Sequence, residues 1–260
     1  MNELKDKVAI ITGGGYGIGK EIALSYAHAG AALALFARSR EPLEEARTAV
    51  QGLGARAICI QGDVSKEADC GRMIDETVKN FGRVDILVNN AGIAGPTKRT
   101  TEMALSEWQQ VLDINLTGAW LASRAAIPVM VKQGGGTILM ISSGAGRRGY
   151  PLRSPYAASK WAMIGLTQTL ALEWGASAIR VNCICPGAVE GDRIERVIRA
   201  RAEAMGAPYA EVKKGFTANA ALQRMVTEQE VARVALFLAS DLAAGVAGQT
   251  INVDAGNIMN

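Results

Sequence analysis

Short apolar runs alternate along this chain with longer stretches whose apolar residues recur at helical spacing. The runs at 8–12, 33–37, 57–61, 86–89, 138–141, 179–184 and 250–253 predict strands. The stretches at 17–29, 42–53, 67–81, 106–132 and 228–240 predict helices, as does the segment that follows Tyr156. The strand runs are continuous rather than alternating: Val8-Ala9-Ile10-Ile11 and Leu33-Ala34-Leu35-Phe36 leave no polar face. Such strands suit a parallel sheet buried on both sides. The repeated strand–helix order predicts a three-layer, doubly wound, mostly parallel α/β sheet in a single domain over 1–260.

One segment breaks the rhythm. Residues 188–226 contain no strand pattern, only charged helical sequence punctuated by Gly206, Pro208 and Gly215. Ligands in such sheets bind outside the carboxyl ends of the strands, so an excursion here reads as a substrate lid. The alternative is a solvated surface insertion.

Composition narrows the class. Hydrophobic residues make up 49% and charged residues 20%, ordinary for a globular domain. The net charge is only +3 and the charges are interspersed, which argues against nucleic acid or an anionic membrane as partner. No run of about 18 apolar residues predicts a membrane span. Met1 to Lys7 lead into a strand without an apolar signal region, so the expected location is the cytoplasm. The cysteines are Cys59, Cys70, Cys183 and Cys185, with His28 the single histidine. No C-x-x-C pair occurs, so no metal site is expected and the cysteines read as reduced and structural. Cys183 and Cys185 should share one side of a strand.

The chemistry sits in two places. Tyr156 and Lys160 are one helical turn apart, which puts phenol and ammonium on the same face. A free tyrosine titrates near pH ~10, and a neighbouring cation lowers that value. Tyr156 could then exchange a proton with a substrate oxygen. Between the first strand and first helix lies Thr12-Gly13-Gly14-Gly15-Tyr16-Gly17-Ile18-Gly19. Gly13 would allow a tight turn, Gly17 would let the backbone approach a pyrophosphate, and Gly19 would let helix and strand pack closely. The second strand ends in Ala37, Arg38, Ser39 and Arg40, with no carboxylate before Glu41. An acid there would select NAD, whereas arginine can pair with a 2′-phosphate, so NADP is favoured over NAD. The alternatives are that Arg38 and Arg40 form a solvated helix start, or that Arg38 stacks on adenine.

With these residues the chain resembles the short-chain dehydrogenase/reductase family, a Rossmann-like fold, over nearly its whole length. The motifs fall in the family's order: the glycine turn, Asp63-Val64, Asn89-Asn90-Ala91-Gly92, Asn115, Ser143, Tyr156 to Lys160, and Pro186-Gly187. The resemblance implies the following roles. Gly13, Gly15, Tyr16, Gly17, Ile18 and Gly19 cradle the cofactor, and Asp63 and Val64 flank its adenine. Asn90, Ala91 and Gly92 support the sheet beside it, and Pro186, Gly187 and Val189 complete its contacts. Asn115 holds a water at a helix irregularity and continues a proton relay. Ser143 hydrogen-bonds the reacting oxygen, Tyr156 is the acid/base, and Lys160 binds the nicotinamide ribose and depresses the tyrosine pKa. A homo-oligomer is implied, most often a tetramer, with the apolar face of the 106–132 helix either interface or core. The chain departs from the pattern at Gly191, where the family often has threonine, and at Asp254-Ala255-Gly256, where the common form is Asp-Gly-Gly; the latter reads as a packing change.

The expected activity is therefore NAD(P)-dependent interconversion of a secondary alcohol and a ketone, acting on a small molecule. A silent nucleotide-sensing protein of the same fold is the alternative, and a lyase or dehalogenase variant a third reading. Arg147, Arg148 and Arg153 lie between Ser143 and Tyr156 with no acid among them. Arg147 and Arg153 are candidates for gripping an anionic substrate, balanced against surface charge. The arginines of 193–201 read as helix-surface charge paired at i,i+3 and i,i+4. Gln133-Gly134-Gly135 and Gly175-Ala176-Ser177 lack the basic residues of acyl-carrier-protein reductases, which counts against that substrate.

Overall fold

The computed structural model describes residues 3–259; Met1, Asn2 and Asn260, the extremities of the expected domain, lie outside the described residues. The chain runs β1 (Val8–Thr12), α1 (Gly17–His28), β2 (Ala32–Ala37), α2 (Arg40–Gly52), β3 (Ala57–Gln61), α3 (Glu67–Phe81) and β4 (Ile86–Asn89). It continues α4 (Leu105–Leu112), α5 (Gly118–Lys132), β5 (Gly136–Ile141), α6 (Ser154–Trp174), β6 (Ile179–Pro186), α7 (Asp192–Met205), α8 (Tyr209–Gly215), α9 (Glu228–Ala239) and β7 (Thr250–Val253). Seven strands form one sheet in the order β3-β2-β1-β4-β5-β6-β7, and every pairing is parallel.

The continuous apolar runs are explained by what covers them. Along β2, Leu33 and Leu35 face a core built with Leu43, Ala46 and Val50 of α2, Ile22 and Tyr26 of α1 and Val231 of α9. Ala34 and Phe36 face the opposite core, with Met73 and Ile74 of α3, Ala122 and Ala126 of α5 and Met163 of α6. Both faces are dry, so both side-chain sets are apolar. Cys183 and Cys185 belong to the second core, on the same face of β6 as expected, and all four cysteines are free thiols.

The strand order reverses between β1 and β4. That switch point opens a crevice at the carboxyl ends of the strands, where such sheets bind ligands. Residues 105–132 form a long helix with one wide turn, Asp113–Thr117, of π type between α4 and α5. By length and composition the 28 residues Leu105–Lys132 could cross a membrane, but 56% of the most apolar window is buried against the protein. It is a core helix.

The 188–226 excursion carries α7 and α8 and is tied down at its base. Val189 bridges Val226 in parallel, and Glu190 N donates to Val226 O at 2.9 Å. Its return leg is bonded to the turn after β7: Leu222 N donates to Ala255 O (3.0 Å) and Ala221 N to Gly256 O (3.3 Å). Asp254 shapes that turn by accepting from Gly256 N, Asn257 N and Ile258 N at 3.0, 3.2 and 2.8 Å. The Ala255 departure is more than a packing change, because Ala255 has φ +57°. That left-handed conformation costs an alanine about 1 kcal/mol relative to glycine.

Candidate active site

The glycine turn is held from below by two polar side chains. Thr12 Oγ1 donates to Val88 O and accepts from Asn90 N and Ala91 N at 3.0 Å each. Asn90 Nδ2 donates to Thr12 O (3.0 Å) and Gly13 O (3.2 Å). The end of β4 thus fixes the turn that leaves β1. Gly13 has φ +65°, and a Cβ on Gly19 would lie 2.2 Å from Gly13 O, so neither position tolerates a side chain. Gly17 opens α1, with Ile18 packed on the core and Tyr16 at the N-cap, 63% exposed. The Tyr16 side chain does not cap the helix. The first N–H groups of α1 are thus left without a side-chain cap, the arrangement that receives a phosphate. The residues present therefore fit a dinucleotide.

The Tyr156 cluster stands across the crevice. Lys160 is 3% exposed, and its Nζ donates to Ile141 O at 2.7 Å. It lies 5.8 Å from the Tyr156 ring centroid. Burial opposes ionisation of the Tyr156 phenol, but Lys160, Arg193, a hydrogen bond with Ser143 and Arg153 together outweigh it, and the pKa falls below the ordinary tyrosine value. Burial also pushes the Lys160 pKa down, partly countered by Tyr156. Ser143 follows β5 at the N-cap of a short turn, where its Oγ accepts from Ala145 N at 3.1 Å.

Asn115 sits in the wide turn of the long helix and is fully buried. The irregularity expected there is present. Asn115 Oδ1 accepts from Ile93 N (2.8 Å), while Nδ2 donates to Ile93 O (3.0 Å) and Ser159 Oγ (3.1 Å). Ser159 in turn donates to Tyr156 O at 2.8 Å. Gly92 is packed between: a Cβ there would meet Asn115 Oδ1 at 3.1 Å and Lys160 Nζ at 3.7 Å. Asn115, Ser143, Tyr156 and Lys160 thus gather around the end of β5.

The other expected positions fall in two further places. Pro186 ends β6 against Val253, and Gly187 N donates to Val253 O at 2.9 Å. Val189 begins the excursion. At the far end of the crevice, Arg38, Asp63 and Ser65 line a cavity of about 340 Å³ with Gln109 and Asp113. Asp63 Oδ1 accepts from Ser65 N and Oγ, and Val64 is buried against Gly118. Arg40 pairs with Glu44 at 3.6 Å as a helix start would, but Arg38 is exposed and makes no ion pair among the described residues.

A larger cavity, about 650 Å³, lies between the 92–97 loop, Arg153 and α7. Arg153 lines it, with Nη1 donating to Ala94 O at 3.0 Å. Arg147 does not line it. Arg193 and Arg196 do, so the reading of α7 arginines as paired surface charge fails for these two. Glu195 is paired, but across to α8 rather than within its own helix: it binds Lys213 at 2.8 Å and the Tyr209 hydroxyl. Sequence reasoning also passed over Tyr150, whose ring lies 6.5 Å from that of Tyr156 and beneath Arg201. Ser159 was missed too, although it adjoins Lys160 in the same motif.

A parallel sheet with its glycine turn, crevice and tyrosine–lysine pair defines a Rossmann-like oxidoreductase. Residues 13–257 match the family model described as enoyl-(acyl carrier protein) reductase. An uncharacterized oxidoreductase of Thermotoga maritima is 39% identical over 96% of this chain and 97% of its own. Among solved structures, NAD+-bound xylitol dehydrogenase superimposes with TM-score 0.95 at 32% identity, covering 97% of this chain and 99% of that one. A 7α-hydroxysteroid dehydrogenase complexed with NADH and 7-oxo glycochenodeoxycholic acid gives 0.90 at 35%, covering 100% and 97%. The chain belongs to the short-chain dehydrogenase/reductase family.

Proposed function

We propose that this protein is an NADP-preferring oxidoreductase that interconverts a secondary alcohol and a ketone, with Tyr156 as acid/base. The observation that carries the reading is the buried Lys160 ammonium beside the Tyr156 ring. A cation in that position stabilises the phenolate, as the lowered Tyr156 pKa reflects.

The glycine turn and the N-terminus of α1 hold the pyrophosphate, and Asp63 and Val64 border the adenine. Arg38 takes the 2′-phosphate; its lack of an ion pair among the described residues supports NADP, with NAD as the alternative that the NAD- and NADH-bound neighbours keep open. When bound, the nicotinamide supplies the hydride chemistry. In the reduction direction, Tyr156 Oη donates a proton to the oxygen that is becoming an alkoxide, and in oxidation it takes that proton back. Ser143 Oγ hydrogen-bonds the same oxygen and stabilises the developing charge. Lys160 stabilises the phenolate and, with a donor left beyond Ile141 O and Met163 Sδ, binds the nicotinamide ribose. Asn115 fixes the neighbouring backbone through Ile93 and Ser159 and continues the proton path. The 188–226 excursion covers the substrate as a lid.

The acyl-carrier-protein chemistry in the family description is not favoured, because Gln133-Gly134-Gly135 and Gly175-Ala176-Ser177 offer no basic landing site. The outer faces of α5 and α6 expose Trp120, Val131, Trp161 and Leu172, which supports a homotetramer.

A screen of secondary alcohols and ketones with both nucleotides, followed at the nicotinamide absorbance, tests the activity. Tyr156→Phe should bind nucleotide and lose at least about a hundred-fold in turnover. Parent-like turnover by a folded Tyr156→Phe protein would falsify the assignment.

A further inference from the structure

We propose that the larger cavity takes an anionic substrate, a ketone or secondary alcohol carrying a carboxylate that Arg193 and Arg196 bind while Arg153 positions the facing wall. The inference rests on the alcohol/ketone reading above and gives it a substrate class.

The cavity wall carries three guanidiniums, Arg153, Arg193 and Arg196, against one carboxylate, Glu203. Arg153 is only 5% exposed, and the single hydrogen bond of its side chain among the described residues goes to Ala94 O. Burial disfavours its charge, Tyr150 and Tyr156 counter this in part, and no carboxylate among the described residues pairs with it. An arginine kept in that condition has most of its donors free for a ligand.

Arg193 and Arg196 are three residues apart on α7 and share a face. Neither forms an ion pair among the described residues, and neither do Asp192 and Glu203, whereas the remaining three charges of this helix find partners within the chain. Glu195 has Lys213 and Tyr209. Arg199 lies over the Tyr209 ring, and Arg201 over Tyr150 and Phe216. The helix therefore turns two unpaired guanidiniums and one carboxylate, Glu203, toward the cavity, and the balance is positive. Two guanidiniums side by side suit the planar, bidentate recognition of a carboxylate.

The same residues bear on the chemistry. Arg193 helps lower the Tyr156 pKa, so it acts close to the proton-transfer end of the cavity. A carboxylate bound to Arg193 offsets that field, raises the phenol pKa and keeps Tyr156 in the protonated form that reduction requires.

Tyr16 of the glycine turn lines the cavity too. A cofactor phosphate is thus the other anion these arginines could meet, and the test separates the two. Calorimetry on the NADP+-loaded protein compares cyclohexanecarboxylate and benzoate with their carboxamides. Keto probes, 4-oxocyclohexanecarboxylate and its carboxamide, are assayed alongside. The parent should bind at least one carboxylate about ten-fold tighter than its carboxamide, a preference of the size expected from a charged contact. Arg193→Gln and Arg196→Gln should each remove most of that preference, leave carboxamide binding unchanged and keep the NADP+ Kd within about two-fold. Glu203→Gln should tighten the carboxylate. Absence of carboxylate preference in the parent, equal loss on acid and amide, or loss of NADP+ affinity in its place overturns the proposal. Carboxylate binding with no turnover of any alcohol or ketone would leave the anion site standing and remove the reaction reading.

Discussion

Asn115 binds Ile93 at both of its backbone groups, accepting from N at 2.8 Å and donating to O at 3.0 Å. One side chain on the wide turn of a helix thereby stands in for a missing strand partner, just where β4 has ended and the 92–97 loop begins. The loop that forms one wall of the larger cavity is fixed to the helix that carries Asn115.

Asn115→Ala should leave both groups of Ile93 unpaired in a largely dry site, at about 1–3 kcal/mol. Urea unfolding measures the loss. The substitution should also raise amide exchange at Ile93 and its neighbours before the rest of the sheet. Unchanged protection at Ile93 would contradict the anchoring role.

Gly19→Ala should do more damage than an alanine in a helix ordinarily does. Its Cβ would sit 2.2 Å from Gly13 O, so α1 must move away from the turn, at about 1–3 kcal/mol. Thermal melting and nucleotide titration should fall together. An alanine variant with parental melting and parental nucleotide affinity would show that the turn yields freely.

Arg38→Asp should invert cofactor choice. The carboxylate accepts hydrogen bonds from a ribose and repels a 2′-phosphate. The ratio of kcat/KM with NADP to that with NAD should drop by about a hundred-fold or more. A ratio that stays put would assign the phosphate contact elsewhere, or mean that NAD was preferred from the start.

The pH profile of alcohol oxidation should follow Tyr156, since the reaction needs the phenolate. Activity then rises as pH passes the lowered tyrosine pKa. Arg193→Gln removes one of the cations that lower it, so the midpoint should move to higher pH. Lys160→Met should move it further, because Lys160 is the largest of the lowering influences. Midpoints that stay fixed or move downward would separate the profile from this tyrosine.

The sheet was legible because its physical cause is local. Runs without a polar residue predict strands covered on both faces, and those at 57–61, 86–89 and 250–253 match β3, β4 and β7 end to end. The misjudged boundaries fall at poor strand formers: β5 starts at Gly136 and β6 extends to Pro186. The wide turn at Asp113–Thr117 has no hydrophobic signature, and only the family resemblance pointed to it. In the site, Tyr156 and Lys160 share a face by helical geometry alone. Arg193 and Arg196 were illegible for a different reason. Spacings of three and four describe a surface ion pair and a cavity wall equally well, and only the placement of α7 across the cavity from the 92–97 loop decides between them.

The two legs of the α7–α8 excursion meet at Val189 and Val226 and are laced to the turn that Asp254 shapes. The segment is thus a visor fixed at its rim. Extra residues near Gly206 and Pro208 should lengthen it harmlessly, while a change at Asp254, remote in sequence from both arginines, should unseat it and displace them together.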